Sequence, residues 1–375
     1  MEYIKKLTKF VVASVEMIDT DHEFTVKHWE EGLEAEALKK ITVMGLMGKR
    51  SDSIIQIKDD LTKGPGDRIR FGLRLQNLRA PMTTGTKVEG NEQVLSKRYE
   101  DMYIGEFVDA YRFENVMSPQ RVTYDQRDEG KAALADQLSH AFDTSFFNQI
   151  AGVAAVGGAV TWQGHNTIVA PDAAHKLVAS FDGTEANIAT TDTFSLDLVS
   201  QCVARAKVMT PSIRPARIPG FSEPMYACFV HPYQVRDMKE ADGRWDVIQR
   251  EMMQGGVTKD NPILTGALGV YEGVCFYESS RVPIIGTSTH ATLPVQYGRA
   301  IFCGAQAAVA AWGRIGGTPQ RFRWVEKLFD YDRELGVLGG FCGGIKKVVW
   351  KDVAGGPAPA FDFSTITIST AMAAA

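Results

Sequence analysis

The stretch from Thr123 to Gly152, TYDQRDEGKAALADQLSHAFDTSFFNQIAG, is the longest regular element this chain can form, and whatever fold results must be built along it. Thr123, with Gln126 three positions later, fits a capping box, and Asp125, Asp128 and Glu129 place anions where a helix dipole favours them. Gly152 is a natural stop. Between these ends Leu134, Leu138, Ala141, Phe142, Phe146 and Gln149 keep three-and-four spacing, while Lys131, Gln137, His140 and Asn148 fall largely outside that stripe. The pattern predicts one buried side and one that is wet or faces a neighbour. At about 1.5 Å per residue the helix would run roughly 40 Å, the width of an ordinary domain, so it reads as a beam rather than a core helix.

A chain of 375 residues, 45% of them hydrophobic, holds more apolar material than one core usually takes, so two substructures are expected. Its longest apolar runs, near Ile150 to Val160 and Ala305 to Trp312, fall well short of the ~20 residues a membrane-spanning helix needs. The N-terminus, MEYIKKLTKFVVASVEMIDTDHE, meets acids too soon for a secretory signal. Cys202, Cys228, Cys275, Cys303 and Cys342 lie far apart without a CxxC pair, which points away from zinc cages and disulfide frameworks and toward buried small hydrophobes. A formal charge of −4 gives no overall basic field for gripping nucleic acid.

Arg68 to Gln76, RIRFGLRLQ, alternates strictly, with Ile69, Phe71, Leu73 and Leu75 on one face and Arg68, Arg70, Arg74 and Gln76 on the other. This is a half-buried strand with a cationic face. A second strand-like run, Met102 to Phe113, follows a long connection rich in Gly, Thr and charge. The pair predicts a hairpin with an overlong tip reaching out to a partner; the alternative is a lid over the protein's own active site.

Elsewhere the texture varies. Met1 to Arg50 is charged and mixed, helical from Trp29 to Lys40, and reads as an arm. Asp19, Asp21, His22 and Glu23 carry metal-ligating atoms, but at a spacing that matches no calcium loop or zinc motif, so a solvated acidic turn is expected. Val153 to Thr193 suggests loops and short strands. From Phe194 the pattern becomes α/β: SLDLVSQCVARAKVM is an amphipathic helix, MYACFVHP a central strand, and a helical segment near Trp245 to Met253 precedes two apolar runs. Arg321 to Lys351 alternates as strands. The tail to Ala375, despite its β-prone STITIST, is expected to fray or lie on a neighbour.

No GxGxxG after a strand, GxxxxGK(S/T), GxSxG, HExxH or EF-hand loop is present, and His22, His28, His140, His165, His175, His231 and His290 are scattered singly. Gly339 to Gly344, GGFCGG, reads as a glycine-bulged strand rather than a phosphate cradle, because no helix with Lys and Ser/Thr follows. Asp330 and Asp332 flank Tyr331 and share a face if extended. A salt-bridged strand is the plainer reading; acid/base work with His231, under a hairpin lid, is the rival.

The blocks KDDLTKGPGDRIRFGLR, VEGNEQVL, MSPQRVTYDQRDEGKAALADQ and DTSFFNQIAG, then GALGVYEGVCFYESSRVP, FCGAQAAVAAWG, EKLFDYDRELGV and GGIKKVVW, resemble in order the major capsid protein of tailed bacteriophages, the N4-like podovirus group. The likeness runs from about Ile54 to Trp350. It implies an α+β chain with the Hong Kong 97-type capsid fold: an N-terminal arm (1–53), an extended loop hairpin (54–121), a peripheral domain with a spine helix (122–193), an axial α/β domain (194–320), and a return to the peripheral domain with a tail (321–375). The resemblance further implies a structural protein and not an enzyme. It would assemble in the bacterial host cytoplasm as hexamers and pentamers of an icosahedral virion capsid, around double-stranded DNA held by weak non-specific contact. A long helical prosegment that some relatives carry is lacking, so a separate scaffolding protein is expected, beside portal and decoration or cement proteins; no membrane, metal or cofactor is called for. A cellular nanocompartment shell of the same fold is the rival. The expected inter-subunit contacts are Arg68, Arg70, Arg74, Arg79, Lys87, Glu89 and Glu92, the arginine forks meeting an acidic neighbouring surface. Leu134, Leu138, Phe142 and Phe146 are the expected spine-helix core.

Overall fold

In the computed structural model the long helix, α1, runs from Gln126 to Ala151, and Gly152 ends it with φ at +65°, a conformation glycine adopts without strain. The structure describes residues 33, 36, 37, 41, 43–58, 66–74, 82–85, 87–92, 97–113, 126–153, 164–180, 182–241, 245, 247, 268–285, 296–314, 321–331, 333–352 and 361–372. The Thr123 cap and the cluster at Asp19 to Glu23 therefore lie outside the described residues. The strands are β1 (Met47–Gly48), β2 (Ile55–Lys58), β3 (Arg68–Arg74), β4 (Lys97–Tyr103), β5 (Gly105–Phe113), β6 (Lys176–Val178), β7 (Tyr226–Val230), β8 (Gly269–Tyr271), β9 (Val274–Glu278), β10 (Ile284–Ile285), β11 (Tyr297–Cys303), β12 (Ala308–Trp312), β13 (Phe322–Phe329), β14 (Glu334–Lys347), β15 (Val349–Asp352), β16 (Phe361–Asp362) and β17 (Thr365–Ala371). Two further helices, α2 (Leu196–Val208) and α3 (Pro232–Ala241), complete the named elements. Among the described residues no helix is long and apolar enough to cross a membrane.

The chain folds into two compact units, one of residues 1–42, 106–140 and 313–343, the other of residues 43–105, 141–312 and 344–375. It passes from one to the other within α1 and within β14. In the first unit β14 is flanked by β13 and β5, with Phe322 to Phe329 registered against Phe341 to Glu334. Phe107 stacks on Phe341 at 4.6 Å. The glycine run of β14 serves close approach: a Cβ at Gly340 would lie 2.7 Å from the Phe107 carbonyl oxygen, so only glycine lets the β5 backbone in. Leu33 and Ala37, one helical turn apart, are buried at 0% and 1% exposure, and Val43 in the other unit is at 0%. Within the arm predicted for residues 1–53, Leu33, Ala37, Ile41, Val43 and Leu46 are thus core residues.

The second unit is built on a seven-stranded sheet in the order β6-β17-β11-β7-β9-β8, with β10 added on β11. β7 is buried at all five positions, as its apolar run predicts, and lies parallel to β9 and antiparallel to β11. Leu198, Val199, Cys202 and Val203 of α2 join the core cluster that contains Cys228, Phe276 and Phe302. Cys202, Cys228, Cys275 and Cys303 are buried as expected, while Cys342 is only partly so; burial pushes the Cys202 thiol up to about 12 and that of Cys275 to about 11.

Two expectations are corrected here. Over its described residues the tail is not frayed: Thr365 to Ala371 form β17, buried along its whole length between β11 and β6. Ile366 and Ile368 enter the core, Thr370 Oγ1 accepts from Gln234 Nε2, and on the opposite face Ser369 Oγ donates to Glu185. The beam is likewise only half a beam. Up to His140 it is amphipathic, with Leu134 and Leu138 buried and Asp136, Gln137 and His140 exposed. Beyond Ala141 it is a core helix, and even Asp143, Ser145, Asn148 and Gln149 are buried. Those polar groups are tolerated because they are bonded: Ser145 Oγ donates to Ala141 O at 2.9 Å, Gln149 Nε2 to Asn166 O at 2.6 Å, and Arg281 pairs with Asp143.

Candidate functional site

The hairpin forms, though with a different second strand from the one expected. β3 pairs antiparallel with Lys97 to Tyr103, not with Met102 to Phe113, so β4 begins inside the stretch read as tip; the chain then breaks at Ile104 and continues as β5 in other company. The register sets Arg68 against Tyr103, Arg70 against Asp101 and Gly72 against Tyr99. One face of the ribbon is apolar, as the alternation demands. Ile69 and Met102 are buried with Val309, Val348, Trp350 and Phe363, and Phe71 meets Trp350 edge-on at 5.5 Å.

On the opposite face the arginines find their carboxylate within the hairpin rather than across an interface. Arg70 Nε donates to Asp101 Oδ1 at 2.7 Å and its Nη2 to Oδ2 at 3.1 Å, while Arg68 also binds Oδ2. The hydrogen bonds from Arg70, reinforced by Arg68, hold the Asp101 carboxyl down at about 2. Each guanidinium lies over a β4 ring, Arg70 over Tyr99 at 4.5 Å and Arg68 over Tyr103 at 5.7 Å. This pre-organised base is a rigid mount. Beneath it Lys346 of β14 binds Glu100 and donates to Asp101 O at 2.8 Å, so the buried carboxylate of β4 meets a buried cation.

Beyond the mount the tip is exposed. Residues 83–85 and 87–92 are all solvent-facing, including Lys87, Glu89 and Glu92, and Val88 is 62% exposed. The turn is closed by its own bonds: Asn91 N to Val88 O at 2.9 Å, Asn91 Nδ2 to Lys87 O at 3.0 Å, and Gly90 N to Glu92 Oε2 at 2.9 Å. Arg74 is paired in backbone register with Lys97, and Arg79 falls outside the described residues.

The four helix positions expected in the core are all there: Leu134, Leu138, Phe142 and Phe146 are at most 4% exposed. Phe142 stacks on Trp312 at 5.5 Å, and Phe146 meets Phe229 edge-on at 5.8 Å. The rival catalytic set fares differently. Asp330 sits on the exposed β13–β14 turn, 3.5 Å from Arg333, with φ at +50°. His231 is closed in ahead of α3, where its Nδ1 accepts from Tyr233 N at 3.3 Å and burial lowers its pKa. Asp332 lies outside the described residues.

One polar cluster was not legible in the sequence. Asp172, His175 and Asp362 bring ligand atoms within 4.8 Å of one another, and Lys347 Nζ lies 2.8 Å from Asp362 Oδ1. His175 is therefore not solitary, as its scatter in the sequence suggested. The residues are divided among distant segments, so no local spacing could announce them. The donor set would suit a cation, but the Lys347 side chain already ends beside Asp362.

Comparison with known proteins follows the same outline. A family described as phage capsid protein matches residues 19–374. The major capsid protein of Pseudomonas phage KPP25 is 25% identical over 324 residues, covering 78% of this chain and 80% of that one. Among solved structures, the capsid of Ralstonia phage GP4 superposes with a TM-score of 0.74 at 26% identity, over 88% of this chain and 90% of its own. The capsid of cyanophage Pam1 follows at 0.68 and 17% identity, over 90% and 94%. The head protein of Helicobacter pylori bacteriophage KHP40 follows at 0.64 and 14%, over 89% and 91%.

Proposed function

The chain belongs to the phage capsid protein family, a major capsid protein of the Hong Kong 97-type fold whose place is the virion shell, and we propose that its β3–β4 hairpin is the arm by which one subunit holds the next. In that fold's terms α1 is the spine helix, β3 and β4 the extended loop, and the seven-stranded sheet the axial layer. The observation that carries the assignment of the arm is the contrast along the ribbon. Its base is clamped by Ile69, Met102 and the Arg–Asp101 fork, whereas its tip presents Lys87, Val88, Glu89 and Glu92 to solvent. A mount that rigid beneath a tip that exposed fixes a reaching geometry in advance, which lowers the ordering cost when a neighbour is engaged.

Head-to-tail contacts of this kind close into rings of six and five, the hexamers and pentamers of an icosahedral head. Scaffolding, portal and decoration proteins are the further partners this reading calls for. The formal charge of −4 supports weak, non-specific contact with enclosed double-stranded DNA, since strong wall binding would oppose packaging and ejection. The protein acts as building material and not as an enzyme; the carboxylate Asp330 lies on an exposed turn beside Arg333.

Deleting residues 81–93 tests the arm. The deletion removes little core, and shortening a loop changes closure entropy by only about 1 kcal/mol, so the subunit's melting temperature should hold while shell yield collapses. A sharp drop in melting temperature with shells still forming at wild-type yield would make the hairpin tip an intramolecular element.

A further inference from the structure

Lys347 and Asp362 are each 1% exposed, on β14 and β16, and their Nζ and Oδ1 atoms are 2.8 Å apart. Close as they are, neither atom makes a hydrogen bond of normal direction. The other carboxyl oxygen is held from behind: Asp362 Oδ2 accepts from the Asp172 backbone N–H at 3.2 Å, and Asp172 Oδ2 accepts in return from Asp362 N at 2.9 Å. His175, also buried, places its Nδ1 at 3.9 Å from Asp172 Oδ2, and that Nδ1 has no hydrogen-bond partner among the described residues. Burial lowers the Lys347 pKa and raises that of Asp362, so both shifts favour a neutral amine facing a neutral acid. A buried pair in this position is costly as an ion pair.

We propose that Lys347 and Asp362 condense to an intramolecular isopeptide bond, a covalent staple between β14 and β16 made by the folded chain itself. The Nζ lone pair attacks Cγ of the Asp362 carboxylic acid, forming the C–N bond. The displaced π electrons collect on Oδ2, where the Asp172 N–H is aimed, as an oxyanion hole would be. The proton shed by Nζ passes to the Asp172 carboxylate, which returns it to the Oδ1 hydroxyl. That group leaves as water and the carbonyl re-forms on Oδ2. The sum is an amine and an acid giving an amide and one water, with no oxidant, reductant or co-reactant. The bond would tie the two ends of the segment 348–361 together, pinning β15, which carries Trp350, and β16, which Phe363 follows, beneath the hairpin base.

The intact mass of the denatured full-length protein decides the matter, measured from the soluble subunit and from shells. The wild type should be lighter than its sequence requires by one water, while Lys347→Arg, which cannot cyclise, should show no deficit. Any common end-processing cancels in that comparison. Asp362→Asn should still react, but lose ammonia in place of water, a signature that folding defects cannot imitate. A tryptic digest of wild type should yield one branched peptide carrying both Lys347 and Asp362. If wild-type protein, free and assembled, has the same mass deficit as Lys347→Arg, the pair is an ordinary buried ion pair and the proposal is wrong.

Discussion

Arg299 is the side chain on which the end of α1 depends, and Arg299→Met should destabilise the unassembled subunit by about 4 kcal/mol, within the ~3–5 kcal/mol range for breaking a buried pair from one side. Its Nη1 donates to Ala151 O at 3.0 Å and Gly152 O at 3.2 Å, supplying carbonyls that the helix's last turn leaves without intrahelical partners. Its Nε and Nη2 grip Glu185 at 2.8 and 2.7 Å, and the two side chains are only 11% and 14% exposed. Removing the guanidinium strands a buried carboxylate whose remaining partners are the hydroxyls of Ser369 and Tyr297. Chemical denaturation of the subunit measures the cost. Glu185→Leu on top of Arg299→Met should recover part of the loss, because the orphaned charge goes with it. The pH dependence supplies a second check. Burial alone would raise the Glu185 pKa, but the fork from Arg299 overcomes it and leaves the carboxyl below its ordinary value near 4.5. The unfolded chain therefore binds the proton first as pH falls. This contribution is whole above about pH 4.5, declines below it, and is gone once the pH has passed the folded value. In Arg299→Met this pH dependence should weaken, since only the Ser369 and Tyr297 hydroxyls then oppose burial. A single-mutant cost under about 1 kcal/mol, with no recovery in the double mutant, would refute the reasoning.

Leu138, 3% exposed on the amphipathic half of α1, should not tolerate a charge: Leu138→Asp is expected to cost more than about 4 kcal/mol and yield insoluble protein, and soluble, assembly-competent material would show that the face is open. Arg70→Gln is the informative change at the hairpin base, because Arg68 still holds Asp101 while one guanidinium is lost; subunit melting should barely move, and shell yield at rising salt reads whether Arg70 also serves a neighbour. Asp330→Asn, on its exposed turn, should leave both subunit stability and phage yield unchanged, and a loss of yield with intact shells would revive the catalytic reading.

What the sequence announced was periodicity with a local cause. α1, β3 and the β13–β14 pair each carry a repeat that one face of a helix or strand enforces, and β7 a short continuous apolar run. What it concealed depends on partners far along the chain. β4, KRYEDMY, is so charged that it reads as solvated loop, yet Glu100 is 0% and Asp101 7% exposed, because Lys346 meets one and Arg68 and Arg70 the other. The clue lay in complementarity rather than hydropathy: an R-x-R strand needs an opposing carboxylate at one-strand distance, and Asp101 is the residue that the register supplies. β17 hid for the converse reason. Its Thr/Ile alternation is what a strand with one wet face would show, but β17 is an inner strand between β11 and β6, with its Ile face in the core and Ser369 on the other face bonded to Glu185.

The same distance rule governs the cluster at Lys347. Adjacent lysines on one strand point to opposite faces, so Lys346 and Lys347 must serve different neighbours, and each is met by a carboxylate from a different segment, Glu100 and Asp362. The two pairs share one strand, but their surroundings differ in kind. Lys346 has a second acceptor in Asp101 O and can keep its charge satisfied, whereas Lys347 has a carboxyl beside it without a directed hydrogen bond. A shell subunit needs its arm mounted more firmly than its contacts are held, since contacts must break to correct errors in assembly. Strength placed inside the subunit, at the base of the hairpin, leaves the interfaces free to stay weak.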